Sequence, residues 1–199
     1  NNGFSVGNTA SFPPNKSGVD YVAYCMEKKT GQMDFVDYVG TAPNTQSIAH
    51  SLGEVPGFIL IKQLTGTNAN VTRWIIYITP TSPSGGYFLN GSIGSVQSGP
   101  YTAGEWFNNT AATSGFLFVK GDSSGSRVND IGEDYRAYLF PQDGEFSKVG
   151  SYTGNGSTTG PEVLLDFKPQ LIFIRRQFED GNDWNVYDRV SGGNNSYVL

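Results

Sequence analysis

No stretch of this chain free of both Gly and Pro exceeds 13 residues, and the longest, Thr67 to Thr79, is rich in Val, Ile, Trp, Tyr and Thr. A helical bundle or coiled coil needs long unbroken runs of Ala, Leu, Glu and Lys, so both are excluded. The interruptions are mostly glycines: Gly 26 among 199 residues is near twice the usual ~7%. Aromatics at 14% and hydrophobics at 37% supply enough apolar surface for a core, which disordered chains lack. The chain reads as all-β, with many short strands and frequent turns.

Self-comparison then shows an internal repeat. Tyr21-Val22-Ala23-Tyr24 recurs as Tyr135-Arg136-Ala137-Tyr138 at an offset of 114. Gly31-Gln32-Met33-Asp34-Phe35-Val36 recurs as Gly144-Glu145-Phe146-Ser147-Lys148-Val149, and Pro56-Gly57-Phe58-Ile59-Leu60-Ile61-Lys62 as Pro169-Gln170-Leu171-Ile172-Phe173-Ile174-Arg175, both at 113. Trp74-Ile75-Ile76-Tyr77 recurs as Trp184-Asn185-Val186-Tyr187 at 110. The slip of three falls in a connection holding Gly66-Thr67-Asn68 in one copy and Asp180-Gly181-Asn182 in the other. Length variation confined there is what two strands joined by a surface turn show. Phe4-Ser5-Val6 before Tyr21 also resembles Phe116-Leu117-Phe118 before Tyr135. The expected organisation is the end of a preceding repeat over 1–24, a complete sandwich repeat over 25–138, and the first half of a following repeat over 139–199.

Each repeat carries the strand pattern of an antiparallel β-sandwich or jelly-roll-like domain, here in tandem. The continuous apolar runs Phe58-Ile59-Leu60-Ile61 and Leu171-Ile172-Phe173-Ile174 predict central strands covered on both faces. Each should pair antiparallel with the Trp-led run that follows it. Further strands are expected near 19–26, 33–40, 86–89, 115–119, 134–140, 146–152 and 162–166. Half repeats expose sheet edges and half a core, which invites pairing with other copies of the chain.

Charge and residue inventory narrow the function. A net charge of -5 offers no basic surface for nucleic acid or anionic lipid, and no apolar run reaches the ~18 residues of a membrane span. The one cysteine, Cys25, lies in the apolar stretch Tyr21-Val22-Ala23-Tyr24-Cys25-Met26 and reads as a buried structural thiol; it excludes an internal disulfide and any multi-Cys metal site. His50, the one histidine, has no Gly-x-Ser-x-Gly elbow with it and reads as a surface residue. The carboxylate pairs Glu133-Asp134 and Glu179-Asp180 are adjacent, so on strands they would face opposite ways, unlike the alternating acids of sandwich-fold glucanases. Asp180-Gly181-Asn182-Asp183 reads as a solvated turn more than a Ca²⁺ loop. No catalytic residue, metal or cofactor is expected.

Binding chemistry is more plausible on the aromatic residues of expected loops. Tyr87, Tyr101, Trp106 and Phe107 offer rings that stack on the apolar face of a sugar, with Asn108 and Asn109 able to hydrogen-bond its hydroxyls. The competing reading makes Trp106 and Phe107 part of the sandwich floor.

Several strings resemble a family of bacteriophage virion proteins built from tandem sandwich domains of concanavalin/laminin-G-like type. They are Asp20-Tyr21-Val22-Ala23-Tyr24-Cys25, Asp134-Tyr135-Arg136-Ala137-Tyr138-Leu139-Phe140, Phe146-Ser147-Lys148-Val149-Gly150-Ser151-Tyr152-Thr153-Gly154-Asn155-Gly156-Ser157, His50-Ser51-Leu52-Gly53-Glu54-Val55-Pro56, Trp184-Asn185-Val186-Tyr187-Asp188 and Trp106-Phe107-Asn108-Asn109-Thr110-Ala111. The family usually has Trp around the Cys25-Met26 position. The resemblance implies a non-enzymatic tail or head fibre component on the virion surface. Its partners would be other copies of itself, as a trimer or filament, other virion proteins, and a bacterial surface glycan bound for host attachment. A purely architectural spacer or decoration protein is the alternative, and a sandwich-fold glycan hydrolase ranks third.

Overall fold

A computed structural model describes residues 3–7, 15–21, 23–66, 74–78, 86–88, 107–120, 128–176, 184–189 and 196–198. Among them all regular structure is strand: β1 (Asp34–Val39), β2 (Gln46–Ala49), β3 (Pro56–Gln63), β4 (Trp74–Ile78), β5 (Gly86–Phe88), β6 (Phe107–Ala112), β7 (Phe116–Val119), β8 (Asp134–Pro141), β9 (Leu171–Ile174), β10 (Asn185–Asp188) and β11 (Ser196–Val198). The all-β, antiparallel expectation holds. No described helix is long and apolar enough to cross a membrane.

The strands form three sheets, ordered β1-β8-β3-β4-β5, β2-β7-β6 and β11-β10-β9. In β3 the side chains alternate, as a two-residue period requires. Ile59 and Ile61 point into one buried cluster with Ile75, Tyr77, Tyr135, Ala137 and Leu139 of their own sheet, and with Ile48, Ala112, Leu117 and Val119 of the β2-β7-β6 sheet. Two sheets thus share one core. The other face of β3 and β4 carries Phe58, Leu60, Ile76 and Ile78, which pack with Trp184 from the start of β10. The apolar run of β3 is therefore fully buried on one face and partly covered on the other, where Phe58 and Leu60 are half-buried.

A polar frame fixes the end of β8. The Tyr38 hydroxyl donates to the Val128 carbonyl at 2.7 Å, and the rings of Tyr38 and Tyr135 stack with centroids 5.1 Å apart. Fully buried Asn129 accepts from the Thr41 amide at 2.9 Å and from Gln46 Nε2 at 2.8 Å, and donates to the Asn44 carbonyl at 2.8 Å. Gly40 is confined here: a Cβ on it would lie 1.9 Å from the Asp130 carbonyl oxygen, so only glycine lets the two backbones approach.

Several expectations are corrected. Residues 23–28, 149–156 and 162–165 lie outside the sheets, and 148 makes only an isolated bridge to Asp143. The strands expected near 19–26, 146–152 and 162–166 therefore do not form. A strand needs a continuing ladder; the 146–152 stretch has only the Lys148–Asp143 bridge and the hydrogen bond from the Val149 amide to the Gln142 carbonyl. Cys25 is exposed for the same reason, not buried. β9 is an edge strand with exposed Ile172 and Phe173, where coverage on both faces was expected. His50 is half-buried, not a surface residue: its Nδ1 accepts from the Leu52 amide at 3.3 Å and its Nε2 meets the Thr113 carbonyl at 3.0 Å. The turn 180–183 lies outside the described residues.

Asp34 is the most enclosed carboxylate, with its side chain 1% exposed. Burial works to raise its pKa, but hydrogen bonds from Lys28 Nζ (2.5 Å) and from the Ser51 amide (2.5 Å) and hydroxyl (3.0 Å) outweigh it and hold the carboxyl below its ordinary 3.8. A depressed folded pKa stabilises the fold above the ordinary value, and that stability is lost as pH falls through the folded value. Urea unfolding should accordingly show stability falling below about pH 4. Asp34→Asn should cost about 2 kcal/mol at neutral pH and should flatten that acid limb.

Candidate interaction surface

The two copies of the repeat share their pairing register. In the first, Ile61 faces Ile75 and Ile59 faces Tyr77 across β3 and β4. In the second, the equivalent Ile174 faces Asn185 and Ile172 faces Tyr187 across β9 and β10. The third strand repeats as well: Ile76 faces Tyr87 in β5, and the equivalent Val186 faces Tyr197 in β11. The strand expected near 86–89 forms as β5, but its counterpart Ser196-Tyr197-Val198 was not recognised because only the tyrosine is shared.

Equivalent residues have opposite burial. Ile59 is 0% exposed and Ile172 is 39%; Leu52 is 0% and Leu165 is 37%; Met33 is 8% and Phe146 is 62%. Val163 and Leu164, next to Leu165, are exposed too. The side chains that build the core of the first copy thus form an open apolar surface in the second. Its border is polar, with Lys148 bridging Asp143 (3.0 Å) and Asp166. Exposed apolar patches beside an open sheet edge are a common form of association surface in proteins, which makes this surface the candidate site.

The cause lies in strand order. β3 is flanked by β4 on one edge and β8 on the other, whereas β9 has β10 on one edge and, among the described residues, no strand on the other. β1 is held by β8 alone. Its equivalent near 147–152 has no such strand beside it among the described residues; Tyr152 and the neighbouring Phe146 are exposed, and Val149 is half-buried.

The residues proposed from sequence to contact a sugar are not gathered here. Tyr87 lies on β5, an edge of the five-stranded sheet, and Asn108 and Asn109 lie on β6, an edge of the β2-β7-β6 sheet. Tyr87 lies on the strand expected near 86–89, while Asn108 and Asn109 stand on a strand where a loop was expected, because that segment finds a ladder partner. Tyr101 and Trp106 lie outside the described residues. Among the described residues no group of three or more His, Cys, Asp and Glu could hold a metal ion.

The geometry defines an all-β protein with a hairpin-based repeat, one copy of which has an exposed core face. A family model described as a domain of unknown function (DUF7483) matches residues 28–198, and the chain belongs to that family. The matched span takes in both three-stranded units. No curated protein matches, and no solved structure matches.

The contrast between copies is measurable in dilute solution. Ile59→Ala should destabilise by about 3 kcal/mol, the cost of a buried Ile-to-Ala truncation. Ile172→Ala should stay within about 0.5 kcal/mol, as for an exposed site, with chemical denaturation as the measurement.

Proposed function

We propose that the chain is a non-enzymatic structural protein of a virion, of tail or head fibre type, in which sandwich repeats follow one another along an extended assembly. The observation that carries this reading is the recurrence of one three-stranded unit in the same register, β3-β4-β5 and β9-β10-β11. Repeated units stacked in a line make stiff, extended objects whose variable connections face solvent. The resemblance to phage virion repeat proteins supplies the setting.

Two side chains with chemical potential are committed to structure. His50 spends both ring nitrogens on backbone groups, and Asp34 is enclosed by Lys28 and Ser51. Both uses support an architectural role. Antibody raised against the chain should label appendages of virions concentrated from the source of the sequence. Antigen found only in the particle-free fraction would overturn the reading.

Host attachment is a second role for the same fibre. Aromatic and amide side chains at Tyr87, Tyr101, Trp106, Asn108 and Asn109 would contact an envelope glycan weakly at each site, with many copies supplying avidity. The assembled protein on an array of bacterial envelope glycans should then give signal that Trp106→Ala reduces. Silence across the array would leave the spacer role alone.

A further inference from the structure

The exposed second copy and the stretch before residue 27 fit one another. In the complete copy, β8 is preceded by a turn in which the Asp130 amide donates to the Tyr135 hydroxyl at 3.0 Å and the Glu133 amide donates to the Asp130 carbonyl at 3.2 Å. Gly132 holds φ at 77°. Residues 15–21 build the same turn 114 positions earlier. The Lys16 amide donates to the Tyr21 hydroxyl at 3.1 Å, the Val19 amide donates to the Lys16 carbonyl at 3.3 Å, and Gly18 holds φ at 74°. The segment is thus shaped as the lead-in to a β8-type strand, and Asp20, Tyr21, Ala23 and Tyr24 repeat Asp134, Tyr135, Ala137 and Tyr138. Yet Tyr21 is 51% exposed where Tyr135 is 0%, and residues 23–28 join no sheet.

We propose that the stretch following this turn, in one molecule, inserts as the missing strand between the 147–152 stretch and β9 of a second copy of the chain. The exchange is donor-strand complementation: main-chain ladders give the affinity, and alternate side chains fill the open core. Register follows from the complete copy. Ile61 faces Ala137 and Ile59 faces Leu139 there, so Ile174 faces Ala23 and Ile172 faces Cys25 across the new pair. On the other edge Val36 faces Ala137, so Val149 faces Ala23. Tyr21, Ala23 and Cys25 take the core-facing positions of Tyr135, Ala137 and Leu139, all fully buried in the complete copy. The apolar environment of Cys25 in sequence thereby finds its use.

Donor and acceptor lie at different places on each molecule, so the contact is head-to-tail and each copy gives one strand and receives one. Such contacts propagate into rings or filaments. The inference holds whatever particle the assembly belongs to, and its test is independent of the virion reading.

Cys25 is the chain's one cysteine, which permits a direct test. Opposed Cβ atoms on paired antiparallel strands lie ~4.5–5.5 Å apart, within reach of a disulfide after small adjustment. The Ile172→Cys chain, oxidised mildly, should give a reducible ladder of oligomers on a non-reducing gel. Phe173→Cys, one residue out of register and on the opposite face, should give none. Absence of the ladder, equal cross-linking by Phe173→Cys, or a disulfide closed within one molecule would each overturn the proposal. Ala23→Pro changes a segment outside the sheets and so leaves the monomer fold intact. It should keep the far-ultraviolet circular dichroism unchanged while weakening association by at least about tenfold in light scattering, since proline removes a ladder donor. Retained oligomers with that variant would also overturn the proposal.

Discussion

β8 is the strand on which the fold depends. It enters between β1 and β3 and satisfies both of their facing edges, although its Arg136 and the Asp37 it meets on β1 are 99 residues apart in the chain. Without it the five-stranded sheet divides, the Tyr38–Tyr135 stack is lost, and the Asn129 hydrogen bonds no longer tie the turn at 41–46 to the core. The loop closed by β8 is long, but closure entropy rises only slowly with loop length. Two complete ladders and three fully buried side chains, Tyr135, Ala137 and Leu139, offset it. The ion pair between Arg136 and Asp37, at 2.6 and 2.8 Å, is largely exposed and adds little to stability. Its part is to fix which residue stands opposite which.

The same dependence explains the second copy. Its β9-β10-β11 unit forms because all three strands are local and successive antiparallel pairings set their register. The stretch at 147–152 stays outside the sheets because its only ladder in the first copy is with β8. Local pairing survives and non-local pairing does not. The apolar residues at 146, 165 and 172 are exposed as a consequence, with no change in the residue types that would make them surface positions.

This also marks the limit of what the residues alone reveal. β3 and β4, and β9 and β10, were legible because long apolar runs with aromatic leads recur at fixed offsets. β6 was not, since Phe107-Asn108-Asn109-Thr110-Ala111-Ala112 has a polar centre, and β2 is four residues long and polar at its start. The exposed surface was not legible either. Ile59 and Ile172 sit in near-identical strings, and only the presence or absence of a neighbouring strand separates 0% from 39% exposure. Burial belongs to the pairing partner, which no local pattern records. The turns at 15–21 and 129–135 share Asn, Gly, Asp and Tyr at equivalent positions, Asn15/Asn129, Gly18/Gly132, Asp20/Asp134 and Tyr21/Tyr135, but the hydrogen bond from a backbone amide to the tyrosine hydroxyl in each is seen only in the structure.

The charges across each slot also distinguish the two β8-type strands. In the complete copy the row across the sheet runs Asp37, Arg136, Lys62, so the carboxylate on β1 offsets two cations side by side. The equivalent row in the second copy is Gly150 on one side and Arg175 on the other, and the donor residue at that position in the sequence match is Val22. Arg136 placed there would stand beside Arg175 with no carboxylate opposite, and like charges directly across strands are unfavourable. Val22 placed in the first slot would leave Asp37 without its guanidinium. Each strand is therefore matched to one slot by a single substitution, which works against exchange of β8 itself and in favour of the 15–26 segment as the occupant of the open edge. Specificity of this kind rests on the cost of the wrong pairing as much as on the gain of the right one.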